Sequence, residues 1–446
     1  MNLHPSRRRA IARNAAIALV LATLLIGAGA YLVFAASSTS APPCASVPGP
    51  YSPTAPIKIG FLTELSGTSV ADGYGARVAA ELAVNATDAS GGIDGKNVSL
   101  IFTDAQTNPR TASDCASILD HEGVVAITGT TDQGDALSVQ TYAEGHSVPF
   151  VVSAVSSALL APPGSSWTID LQPDAVQWGA AVAKYVSQAV PGAKVALMTQ
   201  NAEQEREMSA GVNWYASTYN NESIVFNELY SNAQFPWATA AAAAKFSGAN
   251  AVVVSWISSV GFSQANVIEA LQSAGFQQSQ IFIISATDQI SDLGVDGSGL
   301  RGAVLFDGSM SQGYANATSL VQSLQPFING RLGLEQYCGI CPTEVGPLYS
   351  YTYLGMQLIM NSIKSVLSSG QALTRADLMS TLRGASINDD FDNPLRLTSS
   401  GSVVGNYYIV QAGIQNVTGG LYPLQMVKTI SFAPGVVPAY QLAKAR

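Results

Sequence analysis

The residue types that enzymes most often use for catalysis are scarce in this sequence. Its three histidines are His4, in the N-terminal tail, and His121 and His146, which end predicted helices. An imidazole at the C-terminal end of a helix usually complements the helix dipole. The sequence contains no G-x-S-x-G nucleophile motif, no P-loop and no His/Cys pair with zinc-binding spacing. We therefore expect no enzymatic activity, no metal site and no cofactor.

Polar, uncharged loops are the more informative feature. Residues 63–67 (TELSG, with Ser66) and 153–158 (SAVSSA) each follow an apolar, strand-like run. Free backbone N–H groups suit a carboxylate or another anion, and hydroxyl groups provide directional contacts in a small site. The same residues are equally common in ordinary turns and helix N-caps. Composition alone leaves the two interpretations balanced.

An alternation of strand-like and helix-like segments must position these loops. The alternation runs from Ile57 to Ala154 and restarts at Ala175. It predicts an α/β protein with two doubly wound, Rossmann-like lobes, each a parallel sheet covered by helices. Ligands bind such sheets beyond the carboxyl ends of the strands. The expected ligand loops are therefore residues 64–73, 104–108, 129–134, 153–158, 200–204, 257–263 and 286–292.

Two local signals mark helix boundaries in the first lobe. Gly91 and Gly92 follow a helix-like run, and glycine tolerates the positive φ that commonly ends a helix. Asn108 followed by Pro109 is a strong start signal, because asparagine caps a helix and proline suits its first turn.

Composition limits the possible partners. The chain has 446 residues, of which 11% are charged, and a formal net charge of −9. We expect no nucleic-acid binding from a chain of this charge, because neutralising phosphates requires a basic surface. The low charge density fits either a surface rich in Ser, Thr and Asn or an acidic exterior, where carboxylates would be protonated.

The N-terminus predicts a membrane anchor. Arginines within residues 1–14 precede the uncharged apolar run 15–36, whose about 22 residues match the roughly 20 that span a bilayer. Arginines before the run and none just after it place residues 1–14 in the cytosol and the body outside it. A signal peptide cut after Ala35 is the alternative. Residues 37–56 are a Ser/Thr/Pro-rich linker.

Cysteines and glycosylation sequons fit an oxidising exterior. Cys338 and Cys341 are expected to form a structural bridge, with a redox motif as the other interpretation, which leaves Cys44 and Cys115 as the remaining pair. Asn-x-Ser/Thr triplets suggest glycosylation at Asn85, Asn97, Asn221, Asn316 and Asn416.

An ordered set of segments resembles a known family. Residues 57–112, with the sequence GGIDGK, are followed by VPFVVSAVSSA (148–158), WGAAVAKYV (178–186) and GPLYSYTYLGMQLI (346–359). Together they resemble the branched-chain amino-acid (Leu/Ile/Val) binding proteins, which are type I substrate-binding proteins of ABC importers. The resemblance covers about 57–430. It implies a hinged type I periplasmic binding protein fold. Lobe 1 would comprise residues 57–175 and 303–395, and lobe 2 residues 176–302 and 396–430. A C-terminal tail, residues 431–446, would follow.

The resemblance also implies ligand-binding positions. In this family two loops hold the ligand carboxylate, and here the matching residues are Gln133, Gly134, Ser156 and Ser157. Asp288 would meet an α-ammonium group, because a buried ammonium needs a compensating carboxylate.

This sequence departs from the family pattern at three positions. Glu203, or its neighbour Ala202, stands where the family often has an aromatic residue. The loop that contains Trp256 is slightly longer than is usual in the family. An arginine that is common in the family is missing here, where the matching position falls near Asp170. An aromatic-lined pocket that is not tuned for leucine is therefore expected.

The expected function is capture of a small amino acid or amide-like solute in a cleft between the lobes. The chain would deliver that solute to an ABC transporter permease while its N-terminal helix holds it on the cell membrane. The alternative is the ligand-sensing ectodomain of a receptor system. The cytosolic part of at most 14 residues argues against that alternative.

Overall fold

The computed structural model describes Cys44 and residues 57–445, except residues 220, 232–234, 256–263, 285–303, 308–346, 389–393 and 413–423. Its helices, numbered in chain order, are α1 (Val70–Ala89), α2 (Pro109–His121), α3 (Gln133–His146), α4 (Ala175–Ala189), α5 (Glu203–Tyr219), α6 (Trp237–Phe246), α7 (Gln264–Ser273), α8 (Pro347–Ser368), α9 (Arg375–Gly384) and α10 (Ala439–Lys444).

The strands alternate with these helices through most of the chain. They are β1 (Ile57–Thr63), β2 (Val98–Asp104), β3 (Ile127–Thr128), β4 (Phe150–Val152), β5 (Thr168–Asp170), β6 (Ala193–Gln200), β7 (Glu222–Tyr230), β8 (Ala251–Ser255), β9 (Ile281–Ile284), β10 (Val304–Asp307), β11 (Ile387–Asn388), β12 (Pro394–Leu397), β13 (Val403–Val404), β14 (Asn406–Ala412) and β15 (Leu424–Ser431).

The first sheet is parallel and doubly wound. Its order is β2-β1-β3-β4-β5, and all neighbouring strands run parallel. Strand order reverses between β1 and β3, and such a switch point is where ligands bind α/β sheets. The loops that leave these two strands begin at Glu64 and Gly129.

The second sheet repeats this pattern and adds two strands. Its order is β15-β14-β10-β9-β8-β6-β7. The strands from β10 to β7 run parallel, whereas β14 and β15 are antiparallel. The prediction of two doubly wound sheets is therefore confirmed. A third sheet, β11-β12-β13, is small and antiparallel.

One predicted lobe boundary differs from the observed sheets. The sequence prediction gave residues from 303 onward to lobe 1, but β10 (Val304–Asp307) pairs with β9 in the second sheet. The prediction also gave residues 396–430 to lobe 2. However, Val403 packs in the same apolar cluster as Ile59 of β1 in the first sheet. Tertiary pairing and packing decide to which lobe a segment belongs, and no local pattern encodes them.

Local sequence signals end and begin helices as predicted. Gly91 and Gly92 have φ values of 101° and 72°, and the Gly92 N–H group donates to Thr87 O at 3.0 Å. A Cβ atom on Gly92 would lie 2.3 Å from Lys96 O, so this position requires glycine. At the start of α2, the Asn108 side chain accepts hydrogen bonds from two backbone N–H groups.

Two glycines bring α4 and α5 into backbone contact. A Cβ atom on Gly179 would lie 1.7 Å from Met208 O, and one on Gly211 would lie 1.9 Å from Val176 O. Both helices pack in one buried apolar cluster with the second sheet. The close approach fixes the backbone position of the first turns of α5.

The structure describes two of the four cysteines and three of the five sequon residues. Cys44 and Cys115 are each disulfide-bonded. Their predicted pairing stays a prediction, and Cys338 and Cys341 lie outside the described residues.

The sequon residues Asn85, Asn97 and Asn221 are exposed. Asn316 and Asn416 lie outside the described residues.

Within the described part of the chain, no helix is both long and apolar enough to span a membrane. The predicted anchor, residues 15–36, is outside that part.

Candidate functional site

Loops of the first sheet and a helix of the second lobe meet at a buried glutamate. Glu207, in the second turn of α5, is 0% exposed. Its Oε1 atom accepts hydrogen bonds from Ser157 Oγ at 2.9 Å and from Gln133 Nε2 at 3.2 Å. Its Oε2 atom accepts one from the Ala158 backbone N–H group at 2.8 Å. We call the donors of Gln133, Ser157 and Ala158 the carboxylate subsite.

The start of α3 places Gln133 in this subsite. The Asp132 side chain caps the helix by accepting from the Asp135 N–H group at 3.1 Å, so Gln133 is the first helical residue. From there its Nε2 atom also donates to Ser157 Oγ at 2.8 Å. The structure brings Gln133 and Ser157 together across a sequence separation of 24 residues, and their role in holding a ligand stays a prediction.

Two other predicted ligand hydroxyls hold the protein's own loops. Ser156 Oγ is buried and donates to Pro173 O at 2.5 Å. Ser66 Oγ donates to Asp104 Oδ2 at 2.7 Å. Asp104 Oδ1 also accepts from the N–H groups of Leu65 and Ser66, so Asp104 organises the loop after β1. In this arrangement both serine hydroxyls serve loop geometry.

Two of the remaining predicted residues, Gly134 and Glu203, are described and are not among the donors of the carboxylate subsite. Gly134 lies in the first turn of α3, where an added Cβ atom would lie 3.1 Å from Pro109 Cγ. Glu203 begins α5 and is exposed. Trp256 and Asp288 lie outside the described residues.

A second buried carboxyl group lies at the switch point of the first sheet. Glu64, directly after β1, is 0% exposed. It accepts hydrogen bonds from the Thr131 N–H group at 3.0 Å and from the Thr131 hydroxyl, so it joins the loops after β1 and β3. Burial raises the pKa of Glu64 to about 7. Burial, followed by the charge of Glu64, raises the pKa of nearby Asp135 to about 8.

A third acidic group lies where the chain crosses from β5 to α4. Asp174 caps α4, because its Oδ1 atom accepts from the Gln177 N–H group at 2.8 Å. Burial raises the pKa of Asp174 to about 7, and the charge of Glu207 adds to the effect. Burial also raises the pKa of Asp170 well above its usual range, with contributions from Asp174 and Glu207. Glu207 therefore lies in acidic surroundings.

Sequence reasoning missed Glu207 and Glu64 for understandable reasons. Glutamates in the first turns of a helix complement its dipole and usually face water. Glu207 follows Glu203 and Glu205 in such a position, so its pattern does not separate it from surface residues. Glu64 stands within the TELSG loop, whose sequence pattern indicates hydroxyl and N–H groups as the ligand contacts. Complete burial distinguishes both residues, and only the folded structure shows it.

Chemically, the carboxylate subsite is a donor set built for an anion. It combines one hydroxyl, one amide and one backbone N–H group, which together can satisfy both oxygens of a carboxylate. In this structure, the carboxylate is a side chain of the protein. The hydrogen bonds also join residues of the first lobe to a helix of the second.

Comparisons with known proteins give the same architecture. A branched-chain amino acid ABC transporter periplasmic ligand-binding protein from Burkholderia xenovorans is 18% identical, with a TM-score of 0.68 over 84% of this chain and 95% of that one. A branched-chain amino acid transporter substrate binding protein from Streptococcus pneumoniae, solved in complex with isoleucine, is 17% identical, with a TM-score of 0.63 over 85% and 99% of the two chains.

A third solved relative carries a different solute. The solute binding protein of an ABC transporter from Rhodopseudomonas palustris, in complex with 3,4-dihydroxy benzoic acid, is 18% identical, with a TM-score of 0.64 over 84% and 97% of the two chains. Comparison with curated proteins finds no significant match. A family profile described as "Periplasmic binding protein" matches residues 56–417. With a match over most of its length and two sheets of the same strand order, the chain belongs to the periplasmic binding protein family.

Proposed function

We propose that this protein captures a small amino acid or amide-like solute in the cleft between its lobes and delivers it to an ABC importer. The observation that carries the proposal is the polar junction at Glu207. There, donors at the carboxyl ends of the first sheet contact a helix of the second lobe. Polar groups that converge between two hinged lobes suit capture of a solute by closure, in which no bond is made or broken.

Solved relatives support the type of cargo. The Burkholderia xenovorans and Streptococcus pneumoniae proteins are named for branched-chain amino acids, and the Rhodopseudomonas palustris protein holds an aromatic acid. The Burkholderia xenovorans and Rhodopseudomonas palustris proteins are named as parts of ABC transporters. We extend to this chain the broad class, a small organic solute, and the ABC permease partner.

Residues outside the described part complete the proposed binding site. We assign Asp288 to the ammonium group of a solute and Trp256 to an apolar wall. We also assign Gly134 and Glu203, in the first turns of α3 and α5, to the proposed site.

We place the body outside the cytosol, tethered through residues 15–36. The exposed sequon residues Asn85, Asn97 and Asn221 fit glycosylation there.

A solute screen tests this function. The purified full chain in detergent is heated with amino acids, amides, urea, peptides and sugars, and unfolding is followed by fluorescence. A solute present at a free concentration of 100 times its dissociation constant stabilises the folded state by about 2.7 kcal/mol. We expect one chemical class to raise the melting temperature in this way. If no solute raises it, the proposed function is wrong.

A variant tests the assignment of Asp288. We expect Asp288→Asn to weaken binding of an ammonium-bearing solute at least tenfold, because the buried cation loses its carboxylate. Asp114→Asn, at an exposed position of α2, is the matched control and should bind like the wild type. Unchanged affinity in Asp288→Asn would remove Asp288 from the site while leaving solute capture in place.

A further inference from the structure

The carboxylate subsite already contains a carboxylate. Ser157 Oγ, Gln133 Nε2 and the Ala158 N–H group donate to Glu207 at 2.9, 3.2 and 2.8 Å. By resemblance, Gln133 and Ser157 are positions that hold the carboxylate of an amino-acid ligand. Here the acceptor comes from residue 207 of the same chain, 50 residues after Ser157.

Helix packing holds Glu207 in this place. Its neighbour Met208 contributes the carbonyl oxygen that would lie 1.7 Å from a Cβ atom on Gly179. The backbones of α4 and α5 therefore touch next to Glu207. A ligand carboxylate could displace the Glu207 side chain only by moving it from a fully buried position or by shifting α5.

The surroundings oppose a second carboxylate. Two carboxylates within hydrogen-bonding distance of the same donors repel each other strongly in a buried site. Such surroundings favour a solute that offers N–H donors and carries no negative charge.

We propose that Glu207 takes the place of a ligand carboxylate in the subsite, so that the cleft selects a small solute of the carboxamide class and rejects the corresponding acid. This inference rests on the proposed function and narrows it. Glu207 is then the residue that determines specificity, acting by occupation and by charge.

Matched pairs of solutes test the inference directly. Isoleucine and 3,4-dihydroxybenzoate, the acids found in solved relatives, are compared with isoleucinamide and 3,4-dihydroxybenzamide. Binding to the full chain in detergent is measured by titration calorimetry at pH 7. We expect the wild type to bind the amide of at least one pair at least tenfold more tightly than its acid.

A variant of Glu207 should reverse this preference. In Glu207→Ala the three donors become available, so the acid of that pair should bind at least tenfold more tightly than it binds the wild type. Glu269→Ala, at an exposed position of α7, is the matched control and should retain the wild-type preference.

Three outcomes would overturn the inference in distinguishable ways. Tighter binding of the acid than the amide by the wild type would overturn it while leaving solute capture intact. An unchanged affinity for the acid in folded Glu207→Ala would show that Glu207 does not occupy the ligand's position. Absence of binding by any solute in the wider screen would overturn this inference and the proposed function together. The wild-type comparison decides the matter even if Glu207→Ala fails to fold.

Discussion

Replacing Asp174 with asparagine should remove part of the pH dependence of this protein's stability. Asp174 is 3% exposed, and burial raises its pKa from 3.8 to about 7. Between these two values the folded protein holds a proton that the unfolded chain releases. Rising pH therefore favours unfolding, and the stabilisation is full below about pH 4 and lost as the pH rises through about 7.

The size of this effect follows from the two pKa values. A difference of one pKa unit corresponds to 1.36 kcal/mol, so the change from 3.8 to about 7 corresponds to about 4 kcal/mol. Asparagine retains the oxygen that accepts from the Gln177 N–H group at the start of α4. Asparagine cannot ionise. Between pH 4 and pH 7.5, the free energy of unfolding of the variant should therefore fall by about 4 kcal/mol less than that of the wild type.

Urea unfolding followed by tryptophan fluorescence at half-unit pH intervals measures the effect. Asp114→Asn, at an exposed position, is the matched control and should follow the wild-type curve. Equal losses of stability in Asp174→Asn and the wild type between pH 4 and pH 7.5 would refute the reasoning. The buried carboxyl group would then not hold its proton.

Other buried carboxyl groups act in the same direction. Burial raises the pKa of Glu64 to about 7 and that of Glu222 to about 8. A protein with several such groups is expected to be most stable in acid.

Two glycine substitutions with matched controls test the packing that positions the site. Gly179→Ala should destabilise the protein by about 3 kcal/mol, because the new methyl group would meet a backbone carbonyl oxygen at 1.7 Å. Gly145→Ala, in α3 with open space around it, should be neutral or slightly stabilising. Gly92→Ala should lower the free energy of unfolding by about 1–3 kcal/mol more than Gly91→Ala does. Both glycines have positive φ, but only a Cβ atom at position 92 would meet a backbone oxygen, at 2.3 Å. Thermal and urea unfolding measure all four variants. Equal stability within either pair would contradict the steric argument for that pair.

Local sequence patterns determined the architecture to a large extent. The alternation of apolar runs and helical spacing predicted two doubly wound sheets, and both sheets have the same order in their parallel part. Gly91, Gly92 and Asn108 predicted helix boundaries correctly, because caps and positive φ depend on neighbouring residues. The sequence prediction placed β10 in the first lobe, but β10 pairs with β9 in the second sheet. The strand's own residues do not show which sheet it joins, because that depends on tertiary pairing.

The sequence by itself thus determined the fold class, the order of the elements and the loops in which polar donors lie. Only the tertiary structure decided what those donors bind. Ser66 and Ser156 contact the protein's own loops, and Ser157 meets Glu207, 50 residues further along the chain. The physical reason is that helix and strand patterns are set within a few residues, whereas burial and hydrogen bonding of Glu207 require two lobes to meet.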